Sequence, residues 1–353
     1  MGQDQGSTNE PIRWGILGTG MIANFFVTGL KSLNDATVAA VGSRTQATAD
    51  AFADQYDIPR RHGSYAALAA DPEVDVIYVA TPHSVHREAT ILCLEAGKPV
   101  LCEKPFAINA GEAEQMVATA RARDLFLMEA MWTRFRPAMV KLREVLASGA
   151  IGEPRMFMAD LGWPARFNPD SRLFAPALGG GALLDAGVYP ISLASMVLGP
   201  PTSVAGLAHL GTTNVDEQAG IVLGDDTGRL AVLGITIQTG GPHTASIMGT
   251  GGHIDIHFDW HRPESFTVHP NRQEPQSYDF PLTEGNGYQY EAMEVMRCLR
   301  AGERESPTLP LDETLAIMRT MDRLREIWGV RYPADDETLE RVDVAAAQLP
   351  ANA

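Results

Sequence analysis

The apolar run Trp14-Gly15-Ile16-Leu17 passes directly into Gly18-Thr19-Gly20-Met21-Ile22-Ala23 and then into a helical stretch. No other feature constrains the fold as strongly, because a glycine turn joining a buried strand to a helix is the first corner of a parallel βαβ unit. The turn also has a chemical reading. Gly18 permits the tight corner, Gly20 lets backbone N–H groups approach an anion, and the small Ala23 allows the helix to lie close to the strand. Gly18, Thr19, Gly20, Met21 and Ile22 are therefore expected to cradle a pyrophosphate at the helix N-terminus.

The same rhythm continues along the chain. Short apolar runs over 37–41, 74–80, 99–102 and 125–128 alternate with helical segments such as 45–55 and 110–123, which predicts a parallel sheet whose strands are buried on both faces. After residue 132 the pattern changes to a helix over 137–147, strand-like segments over 155–161, 203–210, 219–223, 230–239 and 244–248, and helices over 287–300 and 311–328. Gly329 is a stop signal for the last of these. The expected fold is α/β: a Rossmann dinucleotide-binding domain over 12–131, then an α+β domain with an open, mostly antiparallel sheet over 132–333. Residues 1–11 read as a disordered leader and 334–353 as a loose tail.

Charge narrows the partners. Lys plus Arg number 28 against 44 Asp plus Glu, and the net charge of −16 repels phosphate backbones and anionic bilayers, so neither nucleic acid nor a membrane is expected. A small anionic cofactor remains compatible, since that field is screened within about 8–10 Å. Cys93, Cys102 and Cys298 are too scattered for a disulfide framework. With a polar beginning and no apolar run near the ~20 residues of a membrane span, the chain is expected in the cytoplasm.

Three further segments carry chemistry. The second strand ends Gly42-Ser43-Arg44, without the acid that would hold a ribose 2′-hydroxyl. Ser43 and Arg44 suit a 2′-phosphate, which favours NADP, although a solvated turn arginine with a capping serine has the same appearance. Cys102-Glu103-Lys104-Pro105 follows the strand at 99–102, on the edge where parallel sheets place their ligands. Gly179-Gly180-Gly181 precedes Asp185-Ala186-Gly187-Val188-Tyr189, in which Asp185 and Tyr189 share a helix face; Asp185 alternatively serves as a helix-terminal cap.

Together, Gly18-Thr19-Gly20, Glu103-Lys104-Pro105 and Asp185-Ala186-Gly187-Val188-Tyr189 resemble the Gfo/Idh/MocA oxidoreductases over roughly residues 12–333. The family carries His where this chain has Tyr189, and that departure, with the stretch Phe126 to Phe135, resembles the branch of dimeric dihydrodiol and NADP-dependent D-xylose dehydrogenases. The resemblance implies an NADP-dependent enzyme moving hydride between a sugar or diol hydroxyl and the cofactor, at aldose C1 or on a trans-dihydrodiol. Reaction at another ring carbon of an anhydrosugar or glycoside, reduction of a keto-sugar, and a non-catalytic nucleotide sensor are the alternatives. It further implies catalytic roles for Lys104, Tyr189 and Asp185, with Tyr189 as the acid/base and Lys104 lowering its pKa. Thr81, Pro82, His86, Glu103 and Lys104 would meet the cofactor, and Trp132, Arg134 and Phe135 the substrate, with Trp132 equally suited to a core between the domains. The family's open sheet commonly forms a subunit interface, which implies a homodimer or homotetramer.

His253, Asp255, His257, Asp259 and His261 alternate with Ile254, Ile256, Phe258 and Trp260. This reads as one amphipathic strand rather than a metal set, and no metal site is expected.

Overall fold

The computed structural model describes residues 10–336. The leader expected over 1–11 and the tail expected over 334–353 fall almost wholly outside them.

The first half builds β1 (Ile12–Leu17), α1 (Met21–Leu30), β2 (Ala36–Gly42), α2 (Gln46–Tyr56), β3 (Arg60–His62), α3 (Tyr65–Ala69), β4 (Val76–Val79), α4 (His86–Glu95), β5 (Val100–Glu103), α5 (Ala110–Ala122) and β6 (Leu127–Ala130). Its six strands are all parallel in the order β3-β2-β1-β4-β5-β6, the doubly wound arrangement. The order reverses between β1 and β4, and the carboxyl ends there form the crevice in which such sheets hold ligands. β4, β5 and β6 are buried throughout, as their unbroken apolar runs require. β3 departs from the expectation. Its Arg60-Arg61-His62 sequence carries no apolar signal because it pairs only with β2 at the sheet edge and is largely exposed.

The second half builds α6 (Pro137–Ala147), β7 (Pro154–Gly162), α7 (Val188–Leu198), β8 (Ser203–Leu210), β9 (Asp216–Gly224), β10 (Leu230–Thr236), β11 (Ala245–Gly249), β12 (Gly252–Ile256), β13 (Ser265–Pro270), β14 (Gln276–Asp279), α8 (Gln289–Ala301) and α9 (Leu311–Trp328). Its eight-stranded sheet runs β14-β13-β12-β11-β7-β10-β9-β8, antiparallel except for the β7–β10 pair. The strands alternate buried and exposed residues, so one face packs on α7 and α9. The opposite face leaves Met158, Leu207 and Val222 exposed. The stretch Pro176–Leu198 is long and apolar enough to cross a membrane, yet 83% of its apolar window is buried inside the protein as the support of this sheet.

The amphipathic strand expected over 253–261 is half as long. β12 ends at Ile256, and Asp259 adopts a left-handed φ of 65°, which turns the chain out of the sheet. Phe258 is exposed, whereas Trp260 is buried with its indole donating to Asp160 O at 2.7 Å. A two-residue period outlives the strand that it suggests.

Candidate active site

The glycine turn has the geometry of a dinucleotide cradle. Gly18 has φ of 104°, and a Cβ there would lie 2.7 Å from Ala80 O, so no other residue fits. A Cβ on Gly20, the N-cap of α1, would meet nothing, which leaves that face open to an anion. Met21 is exposed and Ile22 partly buried at the first helical turn. Across the crevice the Thr81 hydroxyl is buried with no partner among the described residues, a hydrogen-bonding group of the kind a bound ribose or phosphate satisfies. Pro82 is exposed beside it. Thr19 Oγ1 lies 3.4 Å from Ser43 Oγ, which accepts from Thr48 Oγ1 at 2.6 Å. The N-cap of α2 is Thr45, not Ser43, so the capping explanation of that serine fails. Arg44 stands exposed at the same turn.

At the carboxyl end of β5, Lys104 reaches across to the second half. Its Nζ donates to Asp185 O at 3.0 Å, lies 3.4 Å from Asp185 Oδ1 and sits 4.8 Å from the centre of the Tyr189 ring. Burial pulls the ammonium pKa down, but Tyr189, Asp185 and Glu103 outweigh it and hold it above its ordinary value, so Lys104 is charged. Trp132 Nε1 donates to Tyr189 Oη at 3.1 Å. The expectation that Lys104 lowers the Tyr189 pKa holds for the direction of its own effect only. Burial raises the phenol more than Lys104 and the indole N–H lower it, and the net shift is upward.

Asp185 is not a cap. It belongs to a π-helical turn, Leu183–Gly187, just before α7, and its carboxylate pairs with Arg172 Nη1 at 2.7 Å as well as with Lys104. Burial would raise its pKa, but the two cations hold it well below the usual carboxylate range. The turn itself is anchored by Asp216, which accepts from Leu183 N at 2.6 Å. Gly181, with φ of 119°, makes room for that carboxylate, since a Cβ would stand 2.3 Å from Asp216 Oδ1.

Two expected contacts fall away. His86 is fully buried, with Nδ1 2.8 Å from Pro105 O and Nε2 3.0 Å from Thr81 O, so it ties the two crevice loops together instead of meeting a cofactor. Arg134 is also buried, donating to Ser192 O at 2.6 Å and pairing with Glu313 at 2.6 Å, so its Nε and Nη2 are engaged by the protein itself and fasten the segment to α7 and α9. Phe135 is buried in the hydrophobic core. Glu103, likewise buried, accepts from the Tyr78 hydroxyl and from the Lys104 N–H at 3.1 Å, so it braces the Lys104 backbone.

Three residues join the site without having been anticipated there. Arg172 comes from the loop between β7 and the π-helical turn. Tyr288 precedes α8 and stacks between Trp132, 4.5 Å away, and Phe25 of α1, 6.1 Å away. His261, released by the turn at Asp259, meets the Tyr189 ring edge-on at 5.6 Å. No sequence signal marks Arg172 or Tyr288, whereas His261 was visible but assigned to the wrong element.

The buried carboxyls set a pH dependence. Burial raises Glu103, Glu112, Glu129 and Asp216 each to about 7. An acid whose folded pKa exceeds its unfolded value destabilises the fold progressively as pH rises toward that folded value. His83 and His261, lowered to about 3 and about 4 chiefly by burial, act in the opposite sense only below an imidazole's ordinary pKa of about 6.5. Urea denaturation should therefore show stability falling from pH 6.5 to 8, and Asp216→Asn should flatten the fall by roughly 0.5–1 kcal/mol. Parallel profiles for the two proteins would mean that Asp216 ionises normally.

Known proteins share this architecture. Residues 12–131 match the family model described as "Oxidoreductase family, NAD-binding Rossmann fold", and residues 139–255 match the GFO/IDH/MocA C-terminal domain. The trans-1,2-dihydrobenzene-1,2-diol dehydrogenase of Mus musculus is 40% identical over 332 residues, covering 92% of this chain and 99% of that protein. Its Homo sapiens counterpart is 40% identical over 335 residues, with the same coverage. Among solved structures, KijD10, a 3-ketoreductase from Actinomadura kijaniata in complex with NADP and TDP-benzene, is 27% identical, with a TM-score of 0.79 over 90% of this chain and 98% of that one. Two family models spanning most of the chain, and relatives aligned along nearly their whole length, lead to one conclusion: this chain belongs to the Gfo/Idh/MocA oxidoreductase family.

Proposed function

We propose that the chain is an NADP-dependent dehydrogenase that moves hydride between a sugar or diol hydroxyl carbon and the cofactor, with Tyr189 handling the hydroxyl proton. The observation that carries this reading is the convergence of the Lys104 ammonium and the Trp132 indole N–H on one buried phenol, beside a cradle suited to a dinucleotide. Bound NADP supplies the hydride acceptor. Gly18, Thr19, Gly20, Met21 and Ile22 hold its pyrophosphate, Ser43 and Arg44 its 2′-phosphate, and Thr81 its nicotinamide side. Tyr189 removes the hydroxyl proton in oxidation and returns it in reduction. Lys104 and Trp132 stabilise the phenolate, Lys104 orients the reacting oxygen, and the ionised Asp185 accepts a hydrogen bond from a substrate hydroxyl. The diol dehydrogenases that align along the whole chain support a substrate of this class, with aldose C1 or a trans-dihydrodiol as the reacting centre. A second reading, reduction of a keto-sugar, is favoured by two observations: the upward shift of Tyr189, which makes the free protein's phenol a proton donor, and the likeness to a 3-ketoreductase. A nucleotide sensor has no use for the set formed by Lys104, Asp185 and Tyr189.

A cofactor-reduction screen with NADP and NAD against aldoses, anhydrosugars, glycosides and a trans-dihydrodiol tests the substrate directly. Because oxidation needs the ionised phenol, its kcat should climb with pH above neutrality, while the reverse reduction should decline. Tyr189→Phe should lower kcat by about 100-fold or more and leave NADP affinity near that of the parent protein. Full turnover in that variant would remove Tyr189 from the chemistry.

Arg44→Ala tests the cofactor preference. The Kd for NADP should rise by about tenfold or more, while that for NAD stays within about twofold. Equal loss for both dinucleotides would take Arg44 off the 2′-phosphate.

The same reading places a second copy of the chain over the open face of the second sheet, where Met158, Leu207 and Val222 are exposed, as a homodimer or homotetramer. Sedimentation at micromolar concentration should return a multiple of 38.1 kDa, whereas a monomer would count against it.

A further inference from the structure

The chain leaves β12 through the left-handed Asp259 and returns at His261, whose ring packs edge-on against Tyr189 and Trp132 with centroid separations of 5.6 and 6.4 Å. His261 Nδ1 is buried 3.2 Å from Asp259 Oδ1 and, among the described residues, makes no hydrogen bond, so the carboxylate acts on it through its charge. Asp259 is itself held by His243 Nδ1 at 3.0 Å and by Arg262. A negative carboxylate beside Nδ1 favours the proton on that nitrogen, which leaves the lone pair on Nε2. Burial, reinforced by Arg262, His243 and Lys104 and opposed by Asp259, brings the His261 pKa down to about 4, so the ring is neutral at pH 7. Among the described residues, nothing donates to its Nε2. A metal reading of the trio does not suit these contacts, because His243 already engages Asp259 through Nδ1 and Gly162 O through Nε2.

A neutral acceptor beside the reacting phenol suits a hydroxyl donor. We infer that His261 is a specificity-determining residue that accepts a hydrogen bond, through Nε2, from a substrate hydroxyl other than the one being oxidised, with Asp259 fixing the tautomer. The substrate then carries a second hydroxyl within reach of His261 when its reacting hydroxyl is at Tyr189. This inference rests on the hydride-transfer reading and deepens it, since it says what the pocket recognises beyond the reacting carbon.

The test compares the aldose best oxidised in the screen with its single-deoxy analogues, using NADP and the full chain. The parent protein should prefer the complete sugar over one of the analogues by about 30-fold or more in kcat/KM. His261→Phe should reduce that preference to about threefold. His261→Asn, whose amide oxygen still accepts, should restore part of the preference and guards against a folding artefact of the phenylalanine variant. An unchanged preference in His261→Phe, or an equal loss on every analogue, would overturn the assignment while leaving the hydride-transfer reading intact. A parent protein that binds NADP yet transfers hydride to or from no sugar, diol or keto-sugar would overturn both.

Discussion

One ammonium joins the two halves of the site. Lys104 leaves the carboxyl end of a strand in the first sheet and donates to the backbone of Asp185, which belongs to the turn that starts a helix of the second half. Its charge, together with that of Arg172, keeps Asp185 ionised, and together with the Trp132 indole it offsets part of the burial of Tyr189. Without a fixed cation at that position, the phenol and the carboxylate would keep their partners Trp132 and Arg172 but lose the one group that ties both to the dinucleotide crevice.

The surroundings of that lysine consist of expensive groups in compensating positions. Glu103 holds the Lys104 backbone and is braced by Tyr78, whose ring stacks 3.7 Å from Phe26 of the first helix. Asp216 and the left-handed Gly181 fix the start of the turn that carries Asp185. His86 ties the Thr81 loop to the loop that follows Lys104. None of these side chains needs to meet a substrate. Each removes a degree of freedom from one proposed to meet substrate or cofactor, which is how a site achieves geometry to within fractions of an ångström.

The legible part of this arrangement was local. The glycine turn, the parallel strands and the Asp185–Tyr189 spacing are written in contiguous residues, and the structure returns them nearly at the expected positions. What sequence reading missed depends on approach in space. Arg172 and Tyr288 sit in loops with no periodicity, and only the fold brings them beside Asp185 and Trp132. Arg134, expected at the substrate through the resemblance alone, is instead engaged by Glu313, 179 positions away. The histidine alternation failed because period two describes a face only while the backbone stays extended, and Asp259 ends that condition.

The aromatic column that runs from Phe25 through Tyr288 to Trp132 has a mechanical meaning. Phe25 belongs to the helix whose first turn faces the dinucleotide, and Trp132 holds the oxygen of Tyr189. Flat rings in contact transmit displacement along the stack more readily than they absorb it, because close-packed interiors compress little. The stack therefore ties the position of the helix that follows the glycine turn to the position of the Tyr189 oxygen.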